Sequence, residues 1–358
     1  MRTKHAVDMP IREDVRRMLD WDIQAQPPVT DVEEEILRVE HLKMHFPVTR
    51  GLLKRQIGSV YAVDDVSFMV KRGQTLGIVG ESGSGKSTIG NCVMRVYDLT
   101  DGSICFDGQE ISRLEKRKLR GLRKRLQMIT QDPYASLDPR KSIRDILLEG
   151  PRIQQIPYSR EEQSDLVARL LMLVGLNPEF ADRYPHEFSG GQRQRVSIAR
   201  ALAVNPAFLV CDEIVSALDV SIQAQIVGLM QSLQANLGLT YIFIGHDLSV
   251  VRHISDQVAV LYLGKIMELT SSDELYAHPL HPYTQALISA APIPNPTADR
   301  TRERILLTGE IPSPIHPPRG CRFCTRCPYA DERCRNETPA LREAAPEHAV
   351  ACHRVSEA

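Results

Sequence analysis

Between Glu35 and about Leu287 the chain alternates short apolar runs with longer stretches of helical periodicity. Residues 74 to 79 (QTLGIV), 207 to 211 (AFLVC) and 240 to 245 (TYIFIG) are short, apolar and followed at once by polar or glycine residues, which predicts buried strands. Such strands separated by helices predict an α/β domain over residues 36 to 287. From Asp132 to about Phe188 the pattern turns helical and charged, which predicts a helical insertion at about 132 to 188. Residues 1 to 35 read as a polar arm broken by Pro27-Pro28, with Ile11, Val15 and Leu19 at helical spacing. From residue 288 proline becomes frequent (APIPNP, IPSPIHPP), predicting a loop-rich region to residue 358. No internal repeat is visible.

Composition narrows the function classes. With 44 Lys plus Arg against 45 Asp plus Glu, the net charge is −1 and no long basic run appears, which disfavours a nucleic-acid binder. No apolar stretch has the length of a membrane span, and the N-terminus lacks the apolar centre of a signal peptide, so a cytoplasmic location is expected. Five of the eight cysteines (Cys321, Cys324, Cys327, Cys334, Cys352) fall in the last 38 residues. In a reducing compartment that clustering reads as a metal site before a disulfide framework. Cys92, Cys105 and Cys211 are expected to pack as small core hydrophobes.

Two motifs carry chemistry. Gly80-Glu81-Ser82-Gly83-Ser84-Gly85-Lys86-Ser87, with Thr88 behind it, matches G-x-x-x-x-G-K-[ST] between a predicted strand and a predicted helix. Its glycines let backbone N–H groups curl round phosphate, and the helix N-terminus adds positive potential. Lys86 is expected to reach the β and γ phosphates and Ser87 to hold Mg²⁺ through its hydroxyl. The second motif is the strand end Phe208-Leu209-Val210-Cys211-Asp212-Glu213. There Asp212 suits Mg²⁺ and Glu213 suits activation of the attacking water.

Phe188-Ser189-Gly190-Gly191-Gln192-Arg193, placed ahead of Asp212, resembles the signature motif of ATP-binding cassette (ABC) ATPases. The resemblance implies a P-loop cassette: a RecA-like core, an antiparallel β subdomain and a helical subdomain, here followed by a loop-rich cysteine extension. It also implies that two cassettes pack head to tail, so that Ser189, Gly190, Gly191 and Gln192 serve the ATP held by the opposite subunit. Gln131, in Gln131-Asp132-Pro133-Tyr134, is similar to the glutamine that contacts Mg²⁺ and water. Ser216-Ala217-Leu218-Asp219 resembles the loop at the dimer interface. His246 looks like the switch histidine at the γ phosphate. Ile214 stands where the family usually has proline, which leaves the turn after Glu213 less rigid. Residues 47 to 60 look like an insertion, and Tyr61, with Phe46 as the other candidate, is expected to stack on adenine.

QDPYASLDPR, VSALDVSIQAQI, HPLHPYTQALISAAPIP and GCRFCTRCPYADERC…ACH resemble the ATP-binding subunits of bacterial oligopeptide and dipeptide importers, most like the second of their two ATPases. This implies a related partner ATPase, two membrane permease subunits, indirect service to a solute-binding protein, and a place on the cytoplasmic face of the cell membrane. It further implies that Cys321, Cys327, Cys334 and Cys352 ligate a [4Fe-4S] cluster. Four thiolates suit zinc as well, and Cys324 forms a second C-x2-C pair on either side, so which four of the five bind stays open. No nucleotide motif links the tail to the phosphate loop, so it is expected to be a separate unit with a structural or docking role. The alternatives are a soluble ABC ATPase acting on nucleic acid or ribosomes, and a regulator using the tail as a redox sensor.

Overall fold

The computed structural model describes residues 34–50, 55–291 and 304–355. All of the expected N-terminal arm except its last two residues lies outside them, as do residues 292–303. In chain order the strands are β1 (Glu35–Arg50), β2 (Arg55–Lys71), β3 (Thr75–Val79), β4 (Asp101–Phe106), β5 (Gln109–Glu110), β6 (Leu126–Ile129), β7 (Phe208–Asp212), β8 (Thr240–Ile244), β9 (Gln257–Tyr262), β10 (Lys265–Ser271), β11 (Arg342–Ala345) and β12 (His348–Val350). The three apolar runs of the sequence become β3, β7 and β8, and every residue of each is buried. Among the described residues no helix is long and apolar enough to cross a membrane.

The chain divides into two compact units. One comprises Lys71–Gly73 and Leu114–Tyr241, with Glu34. Here β6 and β7 pair in parallel, Leu126 opposite Phe208 and Ile129 opposite Cys211. The helices Ile143–Ile153, Arg160–Leu173, Gly190–Leu202 and Val220–Leu237 belong to this unit. The first two bury Ile143, Ile146 and Leu147, and Leu166, Val167, Leu170 and Leu171, at the three-and-four spacing that gives a helix one apolar face. Ser142 caps the first helix by accepting from Asp145 N, and Ser159 with Glu162 forms a full capping box on the second. Arg200 ties the helix Gly190–Leu202 to its neighbours, donating to Ser136 O at 2.6 Å and to Glu149 at 3.2 Å.

The other unit comprises Glu35–Val70, Gln74–Arg113 and Ile242–Ala358. Its smaller sheet has the order β2-β1-β4-β5, with β1 antiparallel to β4 and a bulge between Glu40 and Lys43. In its larger sheet β3 lies between β8 and β9 and is parallel to β9, and the sheet continues outward through β10, β12 and β11, each antiparallel to the one before. β11 and β12 belong to the cysteine tail. The region expected to be loop-rich therefore supplies two strands, which extend the sheet past β10, and a short helix, Glu332–Asn336.

That extension is fastened by a buried carboxylate. Glu268 on β10 is fully buried and accepts from His348 Nε2 (2.7 Å) on β12 and from the backbone N–H groups of Leu280 (2.8 Å) and His281 (2.9 Å). Burial lowers the pKa of His281 to about 4. The ring is therefore neutral near pH 7, and its Nδ1 accepts from Tyr283 N at 3.0 Å.

Of the three cysteines expected in the core, Cys92 and Cys211 are buried, but Cys105 is only half-buried. Cys105 lies on β4 opposite the exposed Arg38. Of the expected insertion at 47 to 60, residues 47–50 lie at the end of β1 and 55–60 at the start of β2, and residues 51–54 lie outside the described residues.

Candidate nucleotide site

The phosphate loop runs from β3 into the helix Lys86–Val93. Two of its glycines are required by shape. Gly80 (φ +153°) and Gly85 (φ +105°) take conformations that L side chains rarely adopt. A Cβ on Gly80 would stand 2.1 Å from Leu261 O, and one on Gly85 would stand 2.2 Å from Ala62 O. The Lys86 side chain is buried and its Nζ donates to Gly80 O (2.8 Å) and Glu81 O (3.0 Å), so the ammonium is held inside the curl of the loop. Ser84 Oγ is buried without a hydrogen-bond partner, and the Ser87 side chain is exposed at the helix start. An orphaned buried hydroxyl, a caged cation and a helix N-terminus together fit a phosphate group. Ser82 and Gly83 are exposed at the tip, while Thr88 is half-buried.

In the same unit Tyr61 is half-buried on β2, its ring edge-on to His45 at 4.5 Å and its N–H bound to Pro314 O at 3.0 Å. The alternative candidate, Phe46, meets Tyr97 edge-on at 5.2 Å. His246 is exposed just beyond β8, ahead of Asp247, which caps the helix Leu248–Ile254.

The other unit holds the carboxylates. Asp212 is buried at the end of β7, and Glu213 follows it with φ +49°, a left-handed conformation that costs a non-glycine residue about 1–3 kcal/mol. The turn behind it was expected to be loosened by Ile214 in place of proline. Burial of Ile214 and Val215, with Ser216 N and Oγ donating to Glu213 O at 3.1 and 2.9 Å, anchors it instead. The Gln131 side chain, exposed, donates through Nε2 to Glu213 Oε2 at 2.8 Å, which brings together two residues 82 apart in the chain.

Ser189 and Gln192 form a capping box at the start of the helix Gly190–Leu202: Gln192 N donates to Ser189 Oγ at 3.3 Å and Ser189 N to Gln192 Oε1 at 2.9 Å. A Cβ on Gly191 would lie 2.7 Å from Ile222 Cγ2, so this glycine lets the signature segment approach the helix Val220–Leu237. Asp219, exposed, stands at the start of that helix.

In the tail, Cys321, Cys334 and Cys352 are buried and Cys324 and Cys327 are half-buried. Cys321 N donates to Cys334 O (2.8 Å) and Cys324 N to Cys321 O (3.1 Å), closing the loop on itself. Burial above all pushes the Cys321 thiol up to about 12, with Cys324, Cys334 and Cys352 adding to the rise, which makes these groups electrostatic neighbours. Their chemistry suits a soft metal. Among the described residues no three His, Cys, Asp or Glu side chains are arranged to hold a metal ion.

The expected separation of the tail from the phosphate loop is overturned. Arg326, between Cys324 and Cys327, pairs with both carboxylate oxygens of Glu81, at 2.6 and 3.1 Å. Glu81 N donates to Tyr283 Oη at 3.0 Å. No sequence motif marks this contact, because its partners lie 245 residues apart. A surplus arginine inside a cysteine loop was the one available hint.

A family model described as "ABC transporter" matches residues 63–216, and one described as "Oligopeptide/dipeptide transporter, C-terminal region" matches residues 267–334. The chain is 57% identical over 325 residues to the oligopeptide transport ATP-binding protein AppF of Bacillus subtilis (strain 168), covering 90% of this chain and 98% of that protein. It is 52% identical over 318 residues to the putative oligopeptide transport ATP-binding protein YkfD of the same organism, covering 89% and 95%. Among solved structures, a dimeric ATP-binding cassette in a post-hydrolysis state bound to ADP and Pi aligns with a TM-score of 0.59 at 26% identity, over 66% of this chain and 99% of that one. With both units accounted for by these matches, the chain belongs to the ATP-binding subunits of ABC transporters, in the group that carries the oligopeptide/dipeptide C-terminal region.

Proposed function

We propose that this chain hydrolyses ATP to energise an importer of peptides. The observation that carries the hydrolytic reading is the Gln131–Glu213 hydrogen bond, because it joins an amide to the carboxylate that follows the end of β7. The relatives' names supply the peptide class. In this reading Gly80 to Thr88 wrap the phosphates, Lys86 offsets charge on the β and γ groups, and Tyr61 stacks on adenine. Ser87, Asp212 and Gln131 would hold Mg²⁺, whose charge offsets that on the phosphate oxygens. Glu213 takes the proton of the attacking water, the water oxygen bonds to the γ phosphorus, and the bond to the ADP oxygen breaks. His246 contacts the γ phosphate, while Ser189 to Gln192 and Asp219 act on the nucleotide of the opposite cassette.

In the same reading the chain works in a heterodimer with a second, related ATPase, on two membrane permease subunits at the cytoplasmic face of the bacterial cell membrane. A solute-binding protein is served indirectly, and no nucleic acid takes part. The isolated chain should therefore hydrolyse ATP slowly, and reconstitution with the paired ATPase and permeases should raise turnover. Full peptide-stimulated turnover by the isolated chain in a phosphate-release assay would refute the shared-site reading.

The tail reading is that Cys321, Cys327, Cys334 and Cys352 ligate a [4Fe-4S] cluster, a reading supported by the gathering of five cysteines in the last 38 residues. Protein purified without oxygen should be brown, with about four irons and four sulfides per chain. Colourless protein with stoichiometric zinc would refute the cluster.

A further inference from the structure

Glu81 is the point at which the phosphate loop is clamped. Its N–H is taken by Tyr283 Oη, its carbonyl accepts from Lys86 Nζ at 3.0 Å and from Ser84 N at 3.2 Å, and its carboxylate meets Arg326 through both oxygens. The Arg326 side chain is 8% exposed and that of Glu81 25%, so water screens their charges weakly. Arg326 is fixed from behind. Its N–H donates to Phe323 O at 3.0 Å, and Phe323 is fully buried against Tyr262 and Tyr283, each with ring centroids 5.3 Å away. Tyr262 Oη accepts a further contact from Arg326 at 3.4 Å.

We propose that Arg326 and Tyr283 are positioning residues for the nucleotide: Arg326 cancels the one negative side chain of the phosphate loop, and Tyr283 fixes the loop's backbone, so that the cysteine loop sets the affinity for ATP. The inference rests on the reading of residues 80 to 88 as the ATP site. Its physical basis is simple. ATP is polyanionic, and an uncompensated carboxylate on the second residue of its binding loop repels it across a few ångströms of poorly screened space. A bidentate guanidinium removes that repulsion and fixes the geometry in which Lys86 is presented.

The test is equilibrium titration of full-length protein with Mg-ATP, carried out in a Glu213→Gln background so that the nucleotide stays intact, with a thermal melt of each variant. Arg326→Ala should raise Kd about tenfold, the scale of one charge-assisted hydrogen-bonded pair, and Arg326→Lys by less than about threefold. Adding Glu81→Ala to Arg326→Ala should bring Kd back to within about threefold of the parent, a rescue that loss of packing would not give. Arg333→Ala, which removes an exposed arginine of the same tail, should leave Kd unchanged. Parental affinity in Arg326→Ala, or a double variant as weak as the single, overturns the proposal. Should Arg326→Ala fail to melt cooperatively, Tyr283→Phe decides: a Kd raised about threefold or more sustains the proposal, and an unchanged one overturns it. A parent that does not bind Mg-ATP would overturn the nucleotide site itself, an outcome distinct from an Arg326 variant without effect.

Discussion

Glu213→Gln should bind Mg-ATP as the parent does and hydrolyse it about 10²–10⁴ more slowly in the assembled transporter, the range a general base contributes. The amide has nearly the shape of the carboxylate, and its single oxygen is enough to keep the bond from Gln131 Nε2, which spans 2.8 Å. What is lost is the capacity to accept a proton from water. The left-handed backbone at Glu213, φ +49°, is fixed by its neighbours, with Ile214 and Val215 buried and Ser216 bound to Glu213 O, so the substituted side chain stays in place. Single-turnover phosphate release alongside nucleotide binding separates the two effects. Unchanged hydrolysis would remove Glu213 from the mechanism, and lost binding would make its role structural.

Glu268→Ala should destabilise the protein by about 3–5 kcal/mol, since three donors lose their shared acceptor at about 1–3 kcal/mol each. The substitution strands His348 Nε2 and the N–H groups of Leu280 and His281, all of which converge on this one carboxylate. It also leaves a cavity where the side chain had no exposure. A fall of about 5–10 °C in thermal midpoint is expected, with a smaller one for Glu268→Gln, which keeps an acceptor. A midpoint within 1–2 °C of the parent, about the shift expected for loss of a single ordinary contact, would show that this carboxylate contributes little to the fold.

The parts legible in the sequence are those whose chemistry is local. The phosphate loop is one contiguous stretch flanked by an apolar run and a helix, where a few neighbouring residues specify backbone and chemistry together, and Asp212-Glu213 closes another apolar run with its chemistry in two adjacent residues. The family resemblance added Gln131, and the fold then placed it on Glu213. What stayed hidden depends on pairs far apart in the chain. Nothing near Arg326 points to Glu81, and nothing near His348 points to Glu268. The tail reads as loop in the sequence because its proline and cysteine content masks β11 and β12, strands of four and three residues that form by pairing, β12 on β10 and β11 on β12, and not from any periodicity of their own. The backbone at Glu213 was equally invisible, since glutamate carries no preference for positive φ.

The way β12 covers β10 bears on synthesis. His348 follows Glu268 by 80 residues, so the ribosome releases a sheet ending in an unpaired strand, with an acidic side chain behind it, well before the segment that completes them. At about 5–20 residues per second that interval is about 4–16 s. During it the open edge of β10 offers a template to any other nascent chain nearby. Elongation rate, chaperone supply and the spacing of ribosomes on the message thus become determinants of how much of this subunit reaches its folded state.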